Sequence, residues 1–121
     1  DVVKDVQRFL EQRVAACEAA GIPRDNILLD PGFGFGKSLE HNLSLLKHLS
    51  GFHSLGAALL VGISRKSMIG QVLDVPLEQR LYGSVAAATM AAMQGVQLIR
   101  VHDVRATVDA LKMVAAVNSA L

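Results

Sequence analysis

The sequence predicts an α/β fold in which parallel strands are joined by helices. Short apolar runs of strand length recur three times, at residues 26–30, 57–63 and 96–102. Helical patterns flank and separate them, and the intervals are long enough for crossover connections, which parallel pairing requires. The order is helix, strand, helix, strand, helix, strand, helix. Two architectures share this rhythm, the doubly wound open sheet and the eight-stranded βα barrel, and both place ligands at the carboxyl ends of the strands.

The first helix follows from Val3, Val6, Phe9, Leu10, Val14 and Cys17, spaced by three and four residues, with Gly21 and Pro23 as its stop. The pattern is already running at Asp1 with no obvious cap ahead of it, so the chain is expected to start inside a longer protein. Cys17 has no partner for an internal disulfide and is read as a small buried hydrophobe. Residues 26–30 then suit a strand covered on both faces, closed by Pro31-Gly32.

Ser38 is placed to cap a second helix through Asn42, Leu43, Leu45, Leu46 and Leu49, closed by Gly51, with Glu40 in the first turn. Residues 57–63 form the second strand, Ser64 to Ser67 its polar exit, and Met68 opens a short helix reaching Leu73. Residues 75–79 read as a loop or a single helical turn. Ser84 opens an alanine-rich helix, residues 85–93, that is apolar nearly all round and must be covered on several sides, so a subunit contact is expected there. Residues 96–102 form the third strand, and Asp103 is placed to cap a last helix with the stripe Val104, Val108, Leu111, Val114 and Ala115.

The 121 residues suffice for one domain or for part of a larger one. Hydrophobic residues make up 51% and charged residues 19%, more apolar surface than a small monomer needs, so a partner surface is expected. No apolar run reaches the ~18 residues of a membrane span. The formal charge of +1, without a basic block, argues against nucleic acid and for small-molecule ligands. A lone cysteine and the lack of a secretory pattern favour a reducing cytoplasm.

All three strands end in polar groups: Asp30 on the first, Ser64, Arg65 and Lys66 on the second, Arg100 and His102 on the third. In a parallel sheet these ends share one edge, and three such ends favour a site over solvated termini. Arg100 and His102 alternate with Val101 and so share a face, resembling an anion clamp. The plainer alternative is a salt bridge from Arg100 to Asp103, which Arg105 could make equally well. Asp30 could accept two N–H donors from a planar heterocycle or merely cap a loop. Lys66 could donate to a ring carbonyl, with Ser67 near a helix start suited to a carboxylate, or both basic residues could face water.

The loop Gly32-Phe33-Gly34-Phe35-Gly36-Lys37-Ser38 fails two phosphate-binding patterns. A Walker A loop needs glycine where Pro31 stands, and a dinucleotide fingerprint needs glycine where Lys37 stands. Phe33 and Phe35 could pack on an aromatic substrate, although Phe33 could equally be a buried loop anchor. His41, His48 and His53 have no metal-ligand spacing.

Jointly, Asp30-Pro31-Gly32-Phe33-Gly34-Phe35-Gly36-Lys37, Gly62-Ile63-Ser64-Arg65-Lys66-Ser67 and Arg100-Val101-His102-Asp103 resemble the C-terminal motifs of bacterial dihydropteroate synthases, in order and spacing. The resemblance spans residues 1–121 and implies a partial TIM (β/α)8 barrel made of its last three strands with their helices. It implies an enzyme condensing 6-hydroxymethyl-7,8-dihydropterin diphosphate with p-aminobenzoate to 7,8-dihydropteroate and diphosphate. It also implies that Asp30 and Lys66 bind the pterin ring, that Arg100 lies against it, and that Arg100, Val101 and His102 surround the diphosphate. Phe35, Lys66 and Ser67 would border the p-aminobenzoate pocket.

Magnesium and a homodimer through the late helices are further implications. The magnesium ligand and a second pterin-binding aspartate would lie outside these residues, so the chain is expected to be inactive alone. A pterin-binding methyltransferase barrel is the alternative enzyme, disfavoured because it needs no diphosphate clamp. A non-catalytic fragment associating through the helix at residues 85–93 is the alternative outside enzymes.

Overall fold

The computed structural model describes residues 1–121. Helix α1 (Val2–Ala19) is capped by Asp1, whose carboxylate accepts from the N–H groups of Val3 and Lys4. The cap missing from the sequence reading is thus the first residue itself. Leu10 and Val14 bury the inner face of α1, whereas Cys17 is only half-buried, not the buried hydrophobe expected.

Strand β1 (Leu28–Leu29) is shorter than the apolar run containing it. Helix α2 (Leu39–Lys47) starts at Ser38 in a reciprocal capping box: the Ser38 hydroxyl accepts from the His41 N–H, and the Ser38 N–H donates to the His41 ring. It ends before Leu49 and Gly51. Residues Leu49–Leu55 instead form a tighter 3₁₀ stretch that drops Leu49 and Phe52 into the core and closes at Gly56, with φ +75°.

Strand β2 (Ala58–Val61), helix α3 (Ser67–Leu73), a 3₁₀ turn at Leu77–Gln79 and helix α4 (Leu81–Met93) follow. Ser84 does not cap α4 but lies within its first turn, where its hydroxyl donates to the Arg80 carbonyl at 2.6 Å. Strand β3 (Leu98–Ile99) precedes helix α5 (Val104–Asn118), which packs on α4. Asp103 occupies the cap position of α5, but its carboxylate makes no capping bond because Arg65 takes it.

The three strands are parallel in the order β1-β2-β3, pairing Leu28 with Ala58, Leu29 with Leu59, Leu60 with Leu98 and Val61 with Ile99. Alternation assigns the two faces. Leu29, Leu59 and Val61 are buried, with Ile99 packed beside them, under the helices in one core with Leu10, Val14, Leu45, Leu46, Leu49, Phe52, Met68, Ile69, Ala87 and Ala91. Complete burial of side chains such as Phe52, Leu45 and Leu59 contributes about 1.5–3 kcal/mol each.

The opposite face, with Leu28, Ala58, Leu60 and Leu98, carries no helix, and Leu28 and Leu98 are exposed. A doubly wound sheet would have helices on both sides; a strictly sequential sheet covered on one face is a piece of a βα barrel, and the bare apolar face is its interior. The expectation of strands covered on both faces therefore fails within this chain. No helix is long and apolar enough to cross a membrane.

Candidate functional site

The residue pairing on the bare face continues past the carboxyl ends of the strands. In the alternation, Asp30 follows Leu28, Gly62 and Ser64 follow Leu60, and Arg100 and His102 follow Leu98. The Arg100 N–H still donates to the Val61 carbonyl at 2.9 Å, although β3 has ended. The Arg100 guanidinium lies over Gly62, where an added Cβ would stand 2.9 Å from Nη2. One step further, the Ser64 hydroxyl meets His102 Nδ1 at 2.8 Å and accepts the His102 N–H at 3.2 Å. Arg100 thus lies on Gly62 and His102 on Ser64, both beyond the end of β3 rather than within the strand expected over residues 96–102.

The glycine-rich loop is built around two lysines. Asp30 Oδ1 accepts from the Gly32 N–H at 2.8 Å, and Gly34 donates to Oδ1 of buried Asn42 at 2.9 Å. Gly32, Gly34 and Gly36 all have positive φ, a path that residues with a Cβ rarely follow. Inside the turn, Lys37 Nζ donates to the carbonyls of Gly32 (2.7 Å) and Phe35 (3.1 Å). Phe33 is completely buried and is the loop's anchor, while Phe35 is 71% exposed. Lys66 Nζ donates to the Phe33 carbonyl and stands 4.9 Å from the centre of the Phe35 ring, a cation–π distance.

Burial holds the Lys66 ammonium below its ordinary value. Asp30 acts in the opposite direction, favouring the charged form, while Arg100 and Lys37 add to the lowering. Lys66 reaches the loop that follows Asp30 through the Phe33 carbonyl, Arg100 lies on Gly62 just past β2, and His102 lies on Ser64, so the residues beyond the carboxyl ends of the three strands gather at one end of the sheet. Ser67 is the exposed first residue of α3, and Val101 is half-buried.

Arg65, just before Lys66, adopts a left-handed backbone with φ +58°, unfavourable for a residue with a long side chain. Its N–H donates to Ser84 Oγ at 2.9 Å and its carbonyl accepts from Arg80 Nη1 at 2.9 Å. Its guanidinium forks onto Asp103 at 2.8 and 3.2 Å, so that the hydrogen bond holds the Asp103 carboxyl below its usual value and the guanidinium above its own. The approach of Arg80 requires Gly70, where a Cβ would stand 2.5 Å from Nη2.

The plain alternative for Arg100 is not realised: Asp103 pairs with Arg65, Arg105 with Asp109, and Arg100 forms no salt bridge. Sequence reasoning assigned no role to Gly62, Lys37, Asn42, Arg80 or Ser84 at the mouth. Gly62 was findable, since a glycine within an apolar strand often marks a close approach. No three His, Cys, Asp or Glu side chains lie close enough together to hold a metal ion among themselves.

A parallel βα sheet with an acid, a lysine and an arginine–histidine pair at one mouth agrees with the family model that matches residues 1–102, described as pterin binding enzyme. The chain belongs to that family. It is 56% identical over 120 residues to the dihydropteroate synthase of Escherichia coli K12, an alignment covering 99% of this chain and 43% of the relative. It superposes on the crystal structure of the Yersinia pestis dihydropteroate synthase with a TM-score of 0.96 and 57% identity, over 99% of this chain and 49% of that one. The Xanthomonas albilineans dihydropteroate synthase in complex with 7,8-dihydropteroate gives 0.97 and 51%, over 100% and 47%. The chain therefore spans less than half the length of these relatives and corresponds to the C-terminal part of a dihydropteroate synthase barrel.

Proposed function

We propose that the protein containing this chain condenses 6-hydroxymethyl-7,8-dihydropterin diphosphate with p-aminobenzoate, and that these residues form one side of the site. The observation that carries the reading is that Lys66 donates to the loop following Asp30, Arg100 lies on Gly62 and His102 on Ser64, all beyond the carboxyl ends of adjacent parallel strands, with Arg100 free of any ion pair. The Xanthomonas albilineans complex with dihydropteroate supports the substrate class. In this reading Asp30 accepts from the pterin ring and Lys66 donates to it, leaving the Phe33 carbonyl to do so. Phe35 and Ser67 border p-aminobenzoate.

The arylamine nitrogen attacks the pterin methylene carbon, the bond from that carbon to the diphosphate oxygen breaks, and the amine loses a proton. Negative charge accumulates on the departing diphosphate, where Arg100, the Val101 backbone and His102 stabilise it. Fixed donors of this kind are worth roughly 10²–10³ in rate. Magnesium would be held by residues outside this chain, and none of these steps is routed through it. The bare inner face needs the rest of a barrel to close it, so residues 1–121 alone would be inactive. Exposed Met90, Met93, Met113 and Val117 on α4 and α5 support a homodimer, and the cytoplasm is the proposed compartment.

The test is steady-state kinetics of the complete protein. Lys66→Ala should raise KM for both substrates, and Arg100→Ala should lower kcat by about 10²-fold. Near-normal kinetics in both variants would remove the assignment.

A further inference from the structure

We propose that Ser64 is a positioning residue that holds His102 as its Nε2–H tautomer, so that the imidazole always presents a donor to an anion at the mouth. The inference rests on reading that mouth as a diphosphate site. A serine hydroxyl has one proton and two lone pairs. Ser64 Oγ already accepts the His102 backbone N–H, and its only other partner is His102 Nδ1 at 2.8 Å.

If Nδ1 carried a proton, it too would donate to Oγ, and the hydroxyl proton of this buried serine would have no acceptor. Native structures avoid that arrangement. The satisfied arrangement has the hydroxyl donating to Nδ1, which leaves the proton on Nε2. Because the same oxygen grips both the backbone and the ring of His102, it sets the position of the ring as well as its tautomer. His102 is exposed and its only side-chain hydrogen bond is the one to Ser64, which leaves Nε2–H free to donate to an anion, and the exposed Arg100 two residues earlier makes no side-chain hydrogen bond or salt bridge of its own.

The experiment is a long-range ¹H–¹⁵N correlation spectrum of the intact protein with the ring neutral, paired with titration by inorganic diphosphate. In the wild type, Nδ1 of His102 should resonate as an unprotonated nitrogen and Nε2 as a protonated one. Ser64→Ala should shift both toward averaged values and weaken diphosphate binding by about tenfold, the scale of one net hydrogen bond. Ser64→Thr, which keeps the hydroxyl, should restore both readouts. A protonated Nδ1 in the wild type, or an unchanged spectrum in Ser64→Ala, overturns the inference. A wild-type protein with the single Nε2–H tautomer and no diphosphate binding sustains the Ser64 assignment while removing the diphosphate reading.

Discussion

Replacing Gly62 by alanine adds one methyl group where the Arg100 guanidinium lies. The new Cβ would stand 2.9 Å from Nη2, 3.1 Å from Nε and 3.4 Å from Cζ, so the fork must retreat by about half an ångström to reach ordinary contact. Backbone strain is absent, because Gly62 is not in the left-handed region. The obstructing atoms are the far end of a flexible exposed side chain, so folding should be little affected, and the stiffer unfolded chain should offset part of any loss by about 0.4–1 kcal/mol. Anion recognition should suffer instead. Misplacing one charge-assisted hydrogen bond costs about 1.5–3 kcal/mol, or roughly 10- to 150-fold in affinity. Calorimetric titration of the complete Gly62→Ala protein with diphosphate, beside a thermal melt, separates the two effects. Unchanged diphosphate affinity would refute the claim that Arg100 must lie on Gly62 to work; a collapse in melting temperature would refute the claim that the contact is functional rather than structural.

Phe33→Ala should lose about 3–5 kcal/mol in urea unfolding, since it empties a fully buried aromatic site, whereas Phe35→Ala should be nearly neutral. Equal effects would show that the loop is not anchored as described. Arg65 holds the Asp103 carboxyl below its ordinary value, so the pair stabilises the fold above the unfolded carboxyl value of about 3.9 and loses that contribution as pH falls toward the lower folded value. The stability difference between wild type and Asp103→Asn should therefore be constant near neutrality and shrink in acid. A difference that stays constant throughout strong acid would contradict this.

The alternation of elements was legible because apolar spacing reports burial, and the three strands lie where the runs predicted. Their ends were not, because Ile27 or Val96 packs on the core without pairing in the sheet. Nor could the runs separate barrel from doubly wound sheet: Leu28 and Leu29 look alike in sequence, yet only Leu29 is buried by this chain. The mouth residues were visible as polar strand ends. What holds them was hidden, since nothing in the sequence marks Arg65 for a left-handed backbone or Ser84 as its acceptor. A serine ahead of an alanine-rich run looks like a cap, and this one serves a loop distant in sequence.

The most direct test is a crystal structure of the intact protein with pterin diphosphate bound. The ring should lie within hydrogen-bond reach of the Asp30 carboxylate and Lys66 Nζ, with the diphosphate oxygens on Arg100 and His102. A ligand bound elsewhere, or with Arg100 turned away from the phosphates, would contradict that placement.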